Sequence, residues 1–302
     1  MRRNAIVPAP GGAVDIALVL KVAPVLLALM MLGMGMGLVP DDFRRVLAQP
    51  RAAAAGLFGQ MVLLPALGFA LAALFPLSPE IAAGVAILAI SPGGPGSNLV
   101  ALLAKADAAL SVSLTAVNSL LAIVTVPLLT AVVTTVFLGE SHTPPPSALA
   151  KIGVGVCVLT LVPVALGMAV RRWRPTWADR ADRPVRLGSF LLLLLLVIGV
   201  AIEEGDHLVG HLQQAGPVDV VLCAGAMAVG FGMARLAGLP QAQQRTLLIE
   251  VGVQNGALAL LVTELLGNTA MAVPVLVYSP VMLTASLGVV AATTLLDSAD
   301  HP

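Results

Sequence analysis

A single carboxylate, Glu250, stands in a stretch of chain that is otherwise apolar. It opens the run Glu250-Val251-Gly252-Val253-Gln254-Asn255-Gly256, which adds two amides and two glycines. Roughly nine residues, about 13 Å at 1.5 Å per residue, separate it from the loop before it, which places it near the middle of a membrane-crossing helix. An ionised carboxylate at that depth is expensive. Insertion scales assign about 2.5 to 3.5 kcal/mol to Asp at a helix centre, so Glu250 needs a cation or a proton. Lys21 and Lys105 also occur in apolar spans, each close enough to an end to reach water along its stem. A resident salt bridge to one of them and a cation drawn from solution are both open.

Oxygen ligands for such a cation stand elsewhere in the chain. The run Ser91-Pro92-Gly93-Gly94-Pro95-Gly96-Ser97-Asn98 puts two prolines and three glycines inside another apolar span, a combination that cannot continue as regular helix. Ser97 and Asn98 open the half-helix after the break, and Ser111 and Thr115, spaced i, i+4, share one face of the next helix. With Glu250 they offer hydroxyl, amide and carboxylate oxygens, which suit a hard cation; no His or thiolate cluster suggests a transition metal. Taken singly, each hydroxyl is as well explained by a bond to its own helix's carbonyls, and the amides of Gln60 and Asn118 by helix-to-helix hydrogen bonding. Catalysis lacks parts: His142, His207, His211 and His301 lie in expected loops or the tail, with no nucleophile or metal spacing beside them.

The elements that position these residues follow from composition. Of 302 residues, 58% are hydrophobic and 11% charged, far from a soluble domain. Aromatic residues are only 3%, and glycine and proline fall inside apolar stretches, which favours close-packed helices over a barrel with aromatic girdles. Cys157 and Cys223 lie in apolar stretches and read as small buried hydrophobes. The formal charge of zero gives no indication of a nucleic-acid partner.

Nine spans are expected, near residues 13–39, 50–75, 80–104, 109–137, 148–172, 185–202, 217–237, 242–266 and 270–296, in an all-α polytopic membrane protein. If they alternate sides, one face receives Arg44, Arg45, Arg51, Lys105, Arg171, Arg172, Arg174, Arg180, Arg183, Arg186, Arg235 and Arg245, and the other Arg2, Arg3 and Lys151. Lys and Arg are retained on the cytoplasmic side, so the expected orientation has the N terminus outside and the C terminus inside a bacterial-type inner membrane. Glu203, Glu204 and Asp206 then form an outer loop. Arg2 and Arg3 precede no clear cleavage site, so the first span is expected to be a retained helix. The interrupted spans at 80–104 and 242–266 occupy corresponding places in the two halves. Paired breaks of this kind point to the binding site of a secondary transporter.

Several stretches together resemble the bile acid:sodium symporter family: Met34-Gly35-Met36-Gly37-Leu38 with residues 41–45 after it, then residues 60–65, 91–115 and 249–255. The resemblance runs from about residue 25 to 290. It implies two inverted five-helix repeats, here four helices plus five, with the broken helices crossing. A core (about 50–137 and 217–296) would face a panel (about 13–39 and 148–202) within one transmembrane domain. By resemblance a first sodium site maps onto Ser97, Asn98, Ser111, Thr115 and Glu250. A second maps onto Gln60, Glu250 and Gln254 with the carbonyls of Val251 and Val253. Pro95, Gly96, Asn255 and Asn118 would border the substrate cavity. The chain departs from the family pattern at Pro95, where a Thr is usual, and near Met282 and Leu283, where a His-Asn pair is expected. Bile acid as the particular substrate is not implied.

The resemblance implies a sodium-coupled symporter of a small organic anion working by alternating access, with the bilayer as its surroundings and no cofactor beyond the coupling ion. The competing readings are a proton-coupled transporter or exporter of the same fold, and a non-transporting sensor or scaffold.

Overall fold

The structure is a computed structural model and describes residues 16–299. Among the described residues the chain forms thirteen α-helices: α1 Ile16–Gly37, α2 Pro40–Ala48, α3 Pro50–Phe58, α4 Leu64–Leu74, α5 Pro79–Ile90, α6 Pro95–Leu103, α7 Ala108–Leu138, α8 Pro146–Val156, α9 Val162–Trp173, α10 Pro175–Leu236, α11 Gln241–Gly252, α12 Gly256–Leu265 and α13 Ala272–Ala299. No strand is formed among them beyond one isolated bridge. Arg2, Arg3 and His301 lie outside the described residues, as do the side chains of Arg45, Arg183, Arg186, Glu203, Glu204, Asp206, His207 and His211.

Among the described residues six stretches are long and apolar enough to cross a membrane: Leu20–Gly37, Pro50–Leu74, Ala108–Leu138, Pro146–Trp173, Leu212–Leu236 and Thr269–Leu295. Their outer faces keep large apolar side chains exposed, among them Val25, Leu74, Leu128, Val136 and Leu166, as surfaces meeting lipid do. The protein is an all-α polytopic membrane protein.

Two of the crossing stretches join a pair of α-helices through π-helical turns, Gly59–Leu63 between α3 and α4 and Cys157–Leu161 between α8 and α9. Each turn precedes a proline, Pro65 or Pro163, in the first turn of the following helix. Proline has no N–H to donate, and its ring crowds the carbonyl four residues back. A wider turn accommodates both facts without breaking the span.

The two interrupted spans divide as their glycines and prolines require. The first becomes α5 and α6 with Ser91-Pro92-Gly93-Gly94 between, and the second becomes α11 and α12 with Val253-Gln254-Asn255 between. Ser78 caps α5 by accepting from Ile81 N–H, and Asp107 caps α7 by accepting from Leu110 N–H.

The stretches expected as spans at 185–202 and 217–237 both lie on α10, whose backbone is helical from Pro175 to Leu236. The acidic loop expected at Glu203, Glu204 and Asp206 therefore has helical backbone. No proline occurs between Pro184 and Pro217, and the isolated glycines there weaken a helix without ending it.

Helices α1 and α9 meet along a seam of bare backbone. A Cβ at Gly35 would sit 2.2 Å from the Val164 carbonyl oxygen, and one at Gly167 would sit 2.3 Å from that of Leu32. Small residues of this kind let membrane helices pack at backbone distance.

Candidate functional site

The two interruptions meet. Gly93 and Gln254 form an antiparallel bridge. The Asn255 N–H donates to the Pro92 carbonyl at 2.9 Å, and the Gly94 N–H to that of Val253 at 3.4 Å. Backbone that would be unsatisfied at membrane depth is thus satisfied by the other interruption. Space for the crossing depends on the glycine pair: a Cβ at Gly93 would lie 2.9 Å from both the carbonyl oxygen and Oε1 of Glu250, and one at Gly94 would lie 3.1 Å from Asn255 Cα. Helices α6 and α12 start immediately after the crossing, so their positive dipole ends point into the same region.

Glu250 is 1% exposed, in the last turn of α11. Its Oε2 accepts from Ser97 Oγ and Ser111 Oγ, both at 2.8 Å, and its Oε1 from Thr115 Oγ1 at 2.6 Å. Asn98 Oδ1 lies 2.9 Å from Ser111 Oγ and 3.2 Å from Thr115 Oγ1. Ser97 Oγ is also 2.7 Å from the Gly94 carbonyl oxygen, and Thr115 Oγ1 is 3.0 Å from that of Ser111. Each of the three hydroxyls has one proton, and each oxygen lies within reach of at least two acceptors. The buried Nδ2 of Asn98 has no partner. Hydroxyl, amide and carboxylate oxygens thus converge in one buried cluster, a donor set of the kind a hard cation takes. Lys21 and Lys105 are exposed while Glu250 is buried, so the structure does not pair it with either.

A second set of polar groups lies across the interruptions. Gln60, in the π-turn before α4, donates through Nε2 to Gln254 Oε1 at 3.1 Å and to the Ser91 carbonyl at 3.3 Å. Gln254 Nε2 donates to the Val251 carbonyl. Gln60 Oε1 has no partner. The sequence thus names residues that the fold gathers from α7, α11, the start of α6 and the π-turn.

The four residues expected at a substrate cavity are placed less tightly together. Pro95 starts α6 and Gly96 is half-buried beside it. Asn255 caps α12, its Oδ1 accepting from Leu258 N–H at 3.1 Å while Nδ2 has no partner. Asn118, one turn after Thr115 on α7, is fully buried with both amide atoms unpartnered. A cavity of about 100 Å³ opens nearby between α1, α2, α7 and α9, lined by Met34, Phe43, Ala116, Ser119, Thr160 and Val164 among others. None of Pro95, Gly96, Asn118 or Asn255 lines it.

Two residues had no place in the sequence reading. Tyr278, the only tyrosine of the chain, donates its phenolic proton to the Gly252 carbonyl at 2.8 Å and so closes the end of α11. Asp219 on α10 is fully buried with no partner. Its signal was a lone acid two residues into an apolar span, close enough to the expected end to pass for a surface residue.

The model of the sodium bile acid symporter family matches residues 24–211, more than half of the chain. The chain belongs to this family. Among relatives, a probable sodium/metabolite cotransporter (BASS2, chloroplastic) of Oryza sativa is 29% identical over 79% of this chain and 55% of its own length. The uncharacterized sodium-dependent transporter YocS of Bacillus subtilis is 29% identical over 84% of this chain and 77% of its own length. The ileal sodium/bile acid cotransporter of Homo sapiens is 29% identical over 81% and 69%. The chain thus spans little more than half the length of the rice relative. The family match contains Gln60, Ser97, Asn98, Ser111 and Thr115 and ends before α11, so in this symporter-family chain Glu250 joins the cluster through the geometry of the crossing.

Proposed function

We propose that the chain is a sodium-coupled symporter of a small organic anion. The observation that carries this reading is the convergence of hydroxyl, amide and carboxylate oxygens on the buried Glu250. The names of the relatives, sodium/metabolite and sodium/bile acid cotransporters, support the same class of activity. One sodium ion would be held by Ser97, Asn98, Ser111, Thr115 and Glu250. A second would use Gln60, Gln254, Glu250 and the Val251 and Val253 carbonyls, with the Gln60 amide oxygen free to turn to it. Two ions against one carboxylate leave a net charge of plus one, which together with the N-terminal ends of α6 and α12 attracts an anion to the region of Pro95, Gly96, Asn118 and Asn255. The empty carrier returns with Glu250 uncompensated, so a cycle with a monovalent anion moves one positive charge inward. Binding of the ions would order the crossing, and the core would then move against the panel to change the exposed face.

The test is sodium-dependent thermal stabilisation of the purified protein, with choline as the control cation, because a ligand that binds only the folded state raises its stability. Wild type is expected to gain stability with sodium and Glu250→Gln to gain none. A wild-type protein indifferent to sodium would end the reading. In vesicles, uptake should rise with an inside-negative potential, with a sodium Hill slope above one; candidate anions are bile acids and small carboxylates.

For orientation, the arginine-bearing ends are assigned to the cytoplasm, with the C terminus inside and the N terminus outside. Arg171 donates to the Met36 carbonyl and Gln243 to Gln49, which supports grouping these ends on one face. Reporters within residues 171–186 and at the C terminus should both read cytoplasmic.

A further inference from the structure

Asp219 is a second buried carboxylate, and its surroundings differ from those of Glu250. It has no exposed surface, and neither oxygen meets a hydrogen-bond partner. One turn further along α10 is Cys223, buried at 1% exposure, and from α13 comes Tyr278, buried to the same extent; Asp219 is within electrostatic range of both. The Tyr278 proton is committed to the Gly252 carbonyl. Of the other elements packed against α10, α4 carries no titratable residue. Lys21 on α1, Arg51 on α3, Glu80 on α5, the terminal arginines of α9, and Arg245 and Glu250 on α11 make no hydrogen bond to Asp219.

A carboxylate buried without a donor or a counter-charge is strongly disfavoured, the more so within a bilayer. Something must neutralise it. Sodium needs several oxygens, and the titratable side chains that interact with the carboxylate are one phenol, whose proton is committed elsewhere, and one thiol, a poor ligand for a hard cation. Among the described residues no group of three His, Cys, Asp or Glu gathers to hold a metal ion. A proton needs one lone pair and no further ligand.

We propose that Asp219 is a proton-binding site, separate from the Glu250 cluster and loaded when the chain has the conformation described. The proton sits on one carboxyl oxygen. When it leaves for water, a negative charge remains beside Tyr278, and Tyr278 holds the last carbonyl of α11, two residues beyond Glu250. The proposal is independent of the sodium reading, because it needs only a membrane-embedded acid without partners.

Infrared difference spectroscopy of the full chain in lipid vesicles, in H2O and D2O, tests it. A protonated carboxylic acid has a C=O stretch that shifts on deuteration. At neutral pH wild type should show such a band, Glu250→Gln should keep it, and Asp219→Asn should lose it. Asp219→Glu should displace the band rather than remove it, which serves if the amide variant does not fold. Absence of the band in wild type, its survival in Asp219→Asn, or its loss in Glu250→Gln would each overturn the assignment. So would its disappearance on adding sodium chloride to Glu250→Gln at fixed pH, which would make Asp219 a sodium ligand.

Discussion

The two helix interruptions meet at one place but contribute different things. Ser91-Pro92-Gly93-Gly94 contributes shape: it carries no charge, its one polar side chain bonds back to the Ile87 carbonyl at 2.9 Å, and its glycines leave room for Glu250 and Asn255. Val253-Gln254-Asn255, with Glu250 just before it, contributes chemistry: a carboxylate, an amide reaching Gln60 and a side chain that caps the next helix. A segment that crowds a site with functional groups needs an opposite segment that has almost none. The contrast predicts that loss of the Glu250 carboxylate removes ligand binding, that loss of the Asn255 cap costs only helix stability, and that lesions in the first interruption act through fit.

The largest effect is expected from Glu250→Ala. At a sodium concentration about a hundred times Kd, wild type should gain about 2.7 kcal/mol of apparent stability, and the variant should gain nothing in the same thermal titration. Sodium-dependent stabilisation of Glu250→Ala would break the contrast, because charge would then come from elsewhere. Next is Gly93→Ala, whose methyl would meet both the backbone and the carboxylate of Glu250. Overpacking of this kind costs about 1–3 kcal/mol, and chemical denaturation should show that loss together with weakened sodium binding. If Gly93→Ala were silent in both, the first interruption would not be shaping the site.

Thr115→Val sharpens the comparison by removing a single hydroxyl at nearly constant volume. Losing one hydrogen bond to a charged group, about 1.5–3 kcal/mol in general, should weaken sodium binding by roughly tenfold or more while leaving the crossing folded. The smallest effect belongs to Asn255→Ala, which removes the cap of α12. A lower melting temperature corresponding to about 1 kcal/mol, with sodium affinity retained, is expected from calorimetry with and without sodium. A large loss of sodium affinity there would mean that Asn255 belongs with the ion rather than with the helix.

Much of this arrangement was legible because its signals are local. Proline and glycine announce interruptions wherever they cluster, and Glu250 stands out in an apolar span at the depth where charge costs most. The bridge from Gly93 to Gln254 was not legible, because residues more than 150 positions apart pair through the packing of α5, α6, α11 and α12, which no periodicity encodes. The π-turn at Gly59–Leu63 was half-visible: Pro65 marks a local strain, but relief by a wider turn depends on neighbouring helices. Acids at 203–206 in a membrane protein suggest a surface turn, whereas residues 203–216 have helical backbone because no breaker lies among them. Asp219 does not stand out in the sequence for a related reason, since depth in an apolar window is least defined near its ends.

The seam between α1 and α9 determines how force would travel through the molecule. Two helices separated by side chains can slide, since rotamers yield a little at a time. Where Gly35 rests on the Val164 carbonyl and Gly167 on that of Leu32, nothing yields before the backbones collide. The pair therefore acts as a stiff plate with no internal slip. Met34 and Val164, one from each helix, line the cavity together with Ala116 and Ser119 of α7. Widening that cavity then takes relative displacement of the plate and α7, with the two helices of the plate carried together as one lever.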